Sequence, residues 1–195
     1  MKQNATGALL IAVLLPVLSV FGFAGPAQAQ LTPPLQSAVS KMIRDGSYHF
    51  DMTMTAGTST TKSVGDVGSL NPIRMRISTD MGPQGTMQMV VLPPYMYMKI
   101  GSAGWKKSTG DAGSMTQMNV AAMMQKQAGD YTVSDLGMQS RDGAMLHAYR
   151  INNTKLKSIS TVFIDGSGRM ARFERTNTVM RFSKFGAPMN INAPM

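Results

Sequence analysis

The sequence predicts an α+β protein: a curved antiparallel β-sheet, a half-barrel, with helices covering its open side. Three observations carry this. From Tyr48 onward most of the chain alternates apolar and polar residues with the two-residue period of half-buried strands. Two short stretches, one ahead of the strands and one midway, show instead the apolar spacing of amphipathic helices. Tight-turn signals such as Asp142-Gly143 and Asp165-Gly166 join successive strands as antiparallel hairpins. A sheet of so many strands covers its apolar face by curling on itself while helices plug the open side, and that shape makes a pocket.

The chain opens with Lys2, an apolar run from Ala8 to Ala24, and the small-x-small pattern Ala27-Gln28-Ala29. Charged start, apolar core and small-residue exit are the parts of a secretory signal. The run is just long enough to span a bilayer if left uncut, but Gly22, Gly25 and Pro26 weaken it as a helix and favour cleavage after Ala29. Residues 1–29 are therefore expected to be a removed signal peptide. Residues 30–195 form a single periplasmic or secreted domain, long enough for a real core and with no later segment that could cross a membrane.

The first element of that domain is a short helix with Thr32 as N-cap, Pro33 in its first turn, Leu35, Val39, Met42 and Ile43 on its apolar side, and Gly46 at its end. A strand follows, with Tyr48, Phe50, Met52 and Met54 on one face and His49, Asp51, Thr53 and Thr55 on the other. Gly57 to Gly68 is rich in Gly, Ser and Thr and reads as a flexible loop or a weak outer hairpin. Strands resume at Ile73-Met75-Ile77 and from Gly85 to Leu92, where Met87, Met89 and Val91 share a face. Pro93-Pro94 then breaks the chain before a strand over Tyr95–Ile100. The second helix has Ser114 as N-cap, Met115, Met118, Ala121, Ala122 and Met124 on its apolar side, and Gly129 as its stop. Strands then cover Tyr131–Met138, Met145–Ile151, Ser160–Ile164, Met170–Arg175 and Val179–Phe185.

Composition narrows the chemistry. The chain has no cysteine, which excludes thiolate zinc sites, redox motifs, a cysteine nucleophile and a lipid-modified anchor. Its net charge is +9, a surface drawn to anionic partners; outside the cytoplasm these are lipid head groups or acidic proteins, and no clustered arginine run or recognition helix points to nucleic acid. Glu174 is the sole glutamate and His49 and His147 the sole histidines. Each histidine is expected opposite the apolar face of its strand. No Gly-x-Ser-x-Gly elbow or His-x-x-x-His spacing is present, and Gly166-Ser167-Gly168 fits a turn better than a phosphate cradle. The sequence reads as a non-enzyme with no cofactor and no catalytic or metal-binding residues.

Pro93-Pro94-Tyr95 through Gly104-Trp105-Lys106, then Phe163-Ile164-Asp165, then Phe182-Ser183-Lys184-Phe185-Gly186 are three motifs that, in this order, resemble the LolA-like family of exported lipid-handling proteins, which includes bacterial lipoprotein carriers and the glycolipid-binding lipoproteins of mycobacteria. Pro93-Pro94-Tyr95 with Met98-Lys99-Ile100 and Gly104-Trp105-Lys106 looks like the central strand pair with its Trp-Lys ending. Phe163-Ile164-Asp165 with Gly168, Arg169 and Arg172 looks like the aromatic-x-Asp hairpin. Phe182-Ser183-Lys184-Phe185-Gly186 with Pro188, Ile191 and Pro194 looks like the closing strand and terminal proline. The resemblance implies a curved sheet around an apolar cavity that accepts acyl chains. The departures are the missing lipobox cysteine and apolar positions filled largely by methionine.

Twenty methionines need an account. Met52-Thr53-Met54, Met87-Gln88-Met89 and Met96-Tyr97-Met98 each place two thioethers on one face of a strand. They read as core packing, as a deformable cavity wall for an acyl chain, or as soft ligands for Cu(I). The cavity reading places Phe50, Met52, Met54, Met75, Met87, Met89, Met96 and Met98 in the wall, with Tyr95 and Trp105 nearby, and Lys99, Lys106 and Lys107 at an anionic head group. The expected protein is a monomeric carrier or sensor of a lipid or acylated ligand, able to meet an anionic membrane surface. The alternatives are a Met-rich Cu(I)-binding protein and an envelope-stress sensing or protein-interaction module on the same fold.

Overall fold

The computed structural model describes residues 32–70, 72–109, 131–154 and 157–195. The expected signal peptide and the helix expected over Ser114–Gly129 lie outside these residues.

Helix α1 (Pro33–Asp45) begins where Pro33 presets the first turn and ends at Gly46, whose φ of 72° lets its N–H reach the Met42 carbonyl. Thr32 holds the N-cap position, but its hydroxyl makes no capping bond. Leu35, Ala38, Val39 and Met42 form the buried stripe. Among the described residues no helix is long and apolar enough to cross a membrane.

The strands are β1 (Tyr48–Ala56), β2 (Ser59–Leu70), β3 (Ile73–Asp80), β4 (Thr86–Leu92), β5 (Tyr95–Ile100), β6 (Lys106–Thr109), β7 (Tyr131–Arg141), β8 (Ala144–Asn153), β9 (Ser158–Ile164), β10 (Met170–Arg175) and β11 (Thr178–Ser183). They form one curved antiparallel sheet in the order β6-β5-β4-β3-β2-β1-β11-β10-β9-β8-β7. Two meanders are thus joined at one seam, where Phe50 faces Phe182 and Met52 faces Met180.

Strands β5 and β10 match the expected bounds, and Asp142 and Gly143 both take positive φ in the hairpin turn between β7 and β8. The stretch expected to be a loop or weak outer hairpin is instead β2, a twelve-residue strand inside the sheet, paired with β1 on one side and β3 on the other. Its small residues have a packing cause. Gly65 pairs with Phe50, and a Cβ on Gly65 would sit 2.4 Å from that ring. Beside it, the buried hydroxyls of Ser63 and Thr79 bond each other at 2.9 Å.

The main core lies on the face that α1 covers, with Phe50, Met75, Val91, Val162, Phe173 and Met180 among its members. His147 pairs with Ile164 on this same face, stacked 4.7 Å from Tyr149, and so does not stand opposite the apolar side. The expectation failed because β8 is apolar on both faces: Leu146 and Ala148 join Phe163 in a second, smaller cluster on the other side.

The expected closing strand over Val179–Phe185 stops at Ser183. Lys184 and Gly186, at φ of 52° and 71°, turn the chain out of the sheet. The tail is pinned where Gly186 N–H donates to Ser47 O and the Ser47 hydroxyl donates to Ala187 O at 2.7 Å. Buried Ile191 then lies over Gly68, with its Cδ1 3.0 Å from where a Cβ would be.

Candidate functional sites on the two faces of the sheet

Strand register decides which methionines meet. Met52 faces Ser63 and Met180, Met75 faces Val67 and Val91, and Met89 faces Ile77 and Met98. Phe50, Met52, Met54, Met75, Met87, Met89, Met96 and Met98 accordingly share one face. Phe50, Met52, Met75, Met87 and Met89 are buried, whereas Met54, Met96 and Met98 are half-buried and keep accessible surface.

The other expected site residues divide between the faces. Lys106 pairs with Met98 and shares its side. Tyr95 and Lys99 alternate with Met96 and Met98 and so point to the opposite face. Lys107, paired with Tyr97, is on that opposite face too, its ammonium 3.5 Å from the Tyr95 ring centroid. Trp105, one residue before Lys106, also lies there, in a groove with Val90 and Gln88.

That groove, of about 510 Å³, was not foreseen. Its floor is the outward face of β1 to β4, and its walls are Trp105 from the turn after β5 and Asn192 and Pro194 from the tail. Within it Asp66 accepts from His49 Nδ1 at 2.7 Å and from Arg76 at 2.7 Å, while His49 Nε2 lies 3.7 Å from Asp51. Burial pushes the Asp66 carboxyl up, but the hydrogen bonds and charges of His49 and Arg76 outweigh it and hold the group below the usual carboxylate range. The sequence carried one signal, opposite charges at outward positions of three strands, but their proximity depended on β2 being a strand. Among the described residues, no group of three or more His, Cys, Asp and Glu side chains is placed to hold a metal ion.

No family model matches the sequence, and no curated protein matches it. Among solved structures it is similar to the Mycobacterium tuberculosis lipoprotein LppX, with a TM-score of 0.58 at 14% identity over 91% of this chain and 99% of LppX. The chain is a LolA-like half-barrel in fold. MucB is also similar, with a TM-score of 0.50 at 11% identity over 84% of this chain and 64% of MucB, so the chain spans less than two thirds of that protein. At these identities the likeness is one of fold. Within the half-barrel, the methionine face is the one on which α1 packs and the Asp66 groove lies on the reverse.

Proposed function

We propose that this protein is an exported, non-enzymatic binder or carrier of lipids or lipid-modified proteins, with the acyl chain held against the methionine face. The observation that carries this is that half-buried Met54, Met96 and Met98 share the face of the buried apolar layer and keep accessible surface at its two margins, on β1 and β5. Unbranched thioether side chains adapt to ligands of varied shape, and each methylene they cover contributes ~0.8 kcal/mol. Phe50, Met52, Met75, Met87 and Met89 form the base of this wall. Lys106 is the lysine on the correct side to meet an anionic head group; Lys99, Lys107, Tyr95 and Trp105 belong to the reverse face. Residues 1–29 act as a removed export signal, and the mature protein works as a periplasmic or secreted monomer without a cofactor.

Native mass spectrometry of residues 30–195, purified from a bacterial periplasm without detergent, tests the proposal. Adducts that extract into organic solvent and resolve as acylated lipids are expected. A mass that gains copper and never lipid would replace this reading with the metal one, and a mass that gains neither would leave a protein-interaction module. Met54→Asp and Met98→Asp should lose lipid while keeping the far-UV spectrum, because both sites keep solvent access. Met89→Asp, at 4% exposure, should fail to fold.

A further inference from the structure

We propose that the groove on the reverse face is a carbohydrate-binding site, taking a short saccharide with one sugar ring stacked on Trp105. The site is separate from the methionine wall, since β1 to β5 lie between them and alternate residues of the same strands serve each face.

The lining has the chemistry a sugar ring requires. A pyranose presents an apolar C–H face and a rim of hydroxyls, each able to donate and accept. Trp105 supplies a flat apolar surface with one N–H donor at its edge, and Val90 continues the apolar floor. Around it stand Ser78, Gln88 and Asn192, whose side chains have no hydrogen-bond partner among the described residues. Two carboxamides and a hydroxyl offer both donors and acceptors, the match for hydroxyls and a poor one for an acyl chain.

The charged members of the groove fit a neutral or weakly acidic sugar better than a multiply charged anion. Asp66 spends one oxygen on His49 and the other on Arg76, so the trio is largely self-neutralised and rigid. Arg76 remains more than half exposed and keeps guanidinium donors for a hydroxyl or a single carboxylate. The volume of about 510 Å³ falls inside the ~300–1,000 Å³ of small-ligand sites, which combine an apolar wall with a few placed polar groups. The groove is also built across distant parts of the chain: the tail that supplies Asn192 is held down by the Ser47 to Ala187 bond and by Ile191 over Gly68.

Trp105 is the sole tryptophan, so its emission reads this site directly. Residues 30–195 are titrated with N-acetylglucosamine, glucose, galactose, maltose and trehalose at millimolar concentration while emission is recorded. The expected result is a saturable shift with at least one of these sugars, weakened about tenfold in Gln88→Ala and in Asn192→Ala, the loss of roughly one hydrogen bond each. Both residues are exposed and without partners among the described residues, so the variants should keep the wild-type far-UV spectrum. Met54→Asp should bind the sugar as the wild type does, which separates this site from the lipid proposal. Emission that no sugar moves would overturn the assignment. So would a shift of equal affinity in the Gln88→Ala/Asn192→Ala double variant, or a shift produced by lauric acid and by none of the sugars.

Discussion

Gly65→Ala tests the packing that makes β2 a central strand. The new Cβ would lie 2.4 and 2.5 Å from two atoms of the Phe50 ring and 2.9 Å from the Arg76 carbonyl oxygen. The ring is 3% exposed and has little room to retreat, and the carbonyl belongs to the paired backbone of β3. Overpacking of this kind costs about 1–3 kcal/mol, and the reduced freedom of the unfolded chain returns about 0.4–1 kcal/mol. A net loss of about 1–2 kcal/mol follows, or about 2–8 °C in melting temperature for a domain of this size. Urea and thermal unfolding followed by circular dichroism measure it. Phe50→Leu removes the obstructing atoms, so Gly65→Ala made in that background should cost about 1 kcal/mol less than in the wild type. A neutral or stabilising Gly65→Ala, or strict additivity with Phe50→Leu, would refute the account.

Other measurements probe separate parts of the sheet. Asp142, in the turn after β7, accepts from Arg172 and from Arg181 at 2.6 and 3.0 Å, tying the hairpin tip to β10 and β11. The Arg181 hydrogen bond, opposed by slight burial and aided by both arginine charges, lowers its pKa to about 2. Its stabilisation is therefore full above the ordinary carboxylate pKa of about 4 and lost as pH falls through about 2. Asp142→Asn should be less stable by about 1 kcal/mol or less at neutral pH, since the carboxylate is half-exposed and screened, and urea midpoints of the two proteins should converge near pH 2. Phe163→Ala should cost about 3–5 kcal/mol in chemical denaturation despite facing away from the main core, because Phe163 is 0% exposed within the second cluster. Ser47→Ala should cost about 1 kcal/mol and speed proteolysis of the tail, where the hydroxyl's 2.7 Å bond to Ala187 is removed.

Much of the half-barrel was legible because its strands obey a two-residue period. Ile73, Met75 and Ile77, and Met87, Met89 and Val91, point inward as their alternation requires. What stayed hidden depended on partners distant in sequence. Gly65 looked like a loop residue because the bulk that fills its side of the sheet belongs to Phe50, fifteen positions earlier, and Ser63 because its hydroxyl partner Thr79 lies sixteen positions later. Trp105 and Lys106 looked like one motif, yet hairpin geometry sends them to opposite faces, Lys106 to Met98 and Trp105 to the groove. Tyr95 and Lys99 follow the same alternation away from the methionines. Phe163 and Leu146 were read within single strands, where a residue covered on both sides of a sheet is indistinguishable from one covered on a single side. The groove needed all of these placements at once.

The pairing of β1 with β11 has a consequence for the order in which the molecule comes into being. As the chain emerges, β1 through β6 and then β7 through β10 are available to zip as hairpins, but one edge of β1 stays bare until the last six-residue strand arrives. Closing the sheet therefore joins residues about 130 positions apart, such as Phe50 and Phe182, and contacts of such long range form slowly. Until then each nascent half carries an open strand edge at what will become the centre, the feature by which unfinished sheets stick to one another. A ribosome that stops before Thr178 leaves two sheets with nothing to join them.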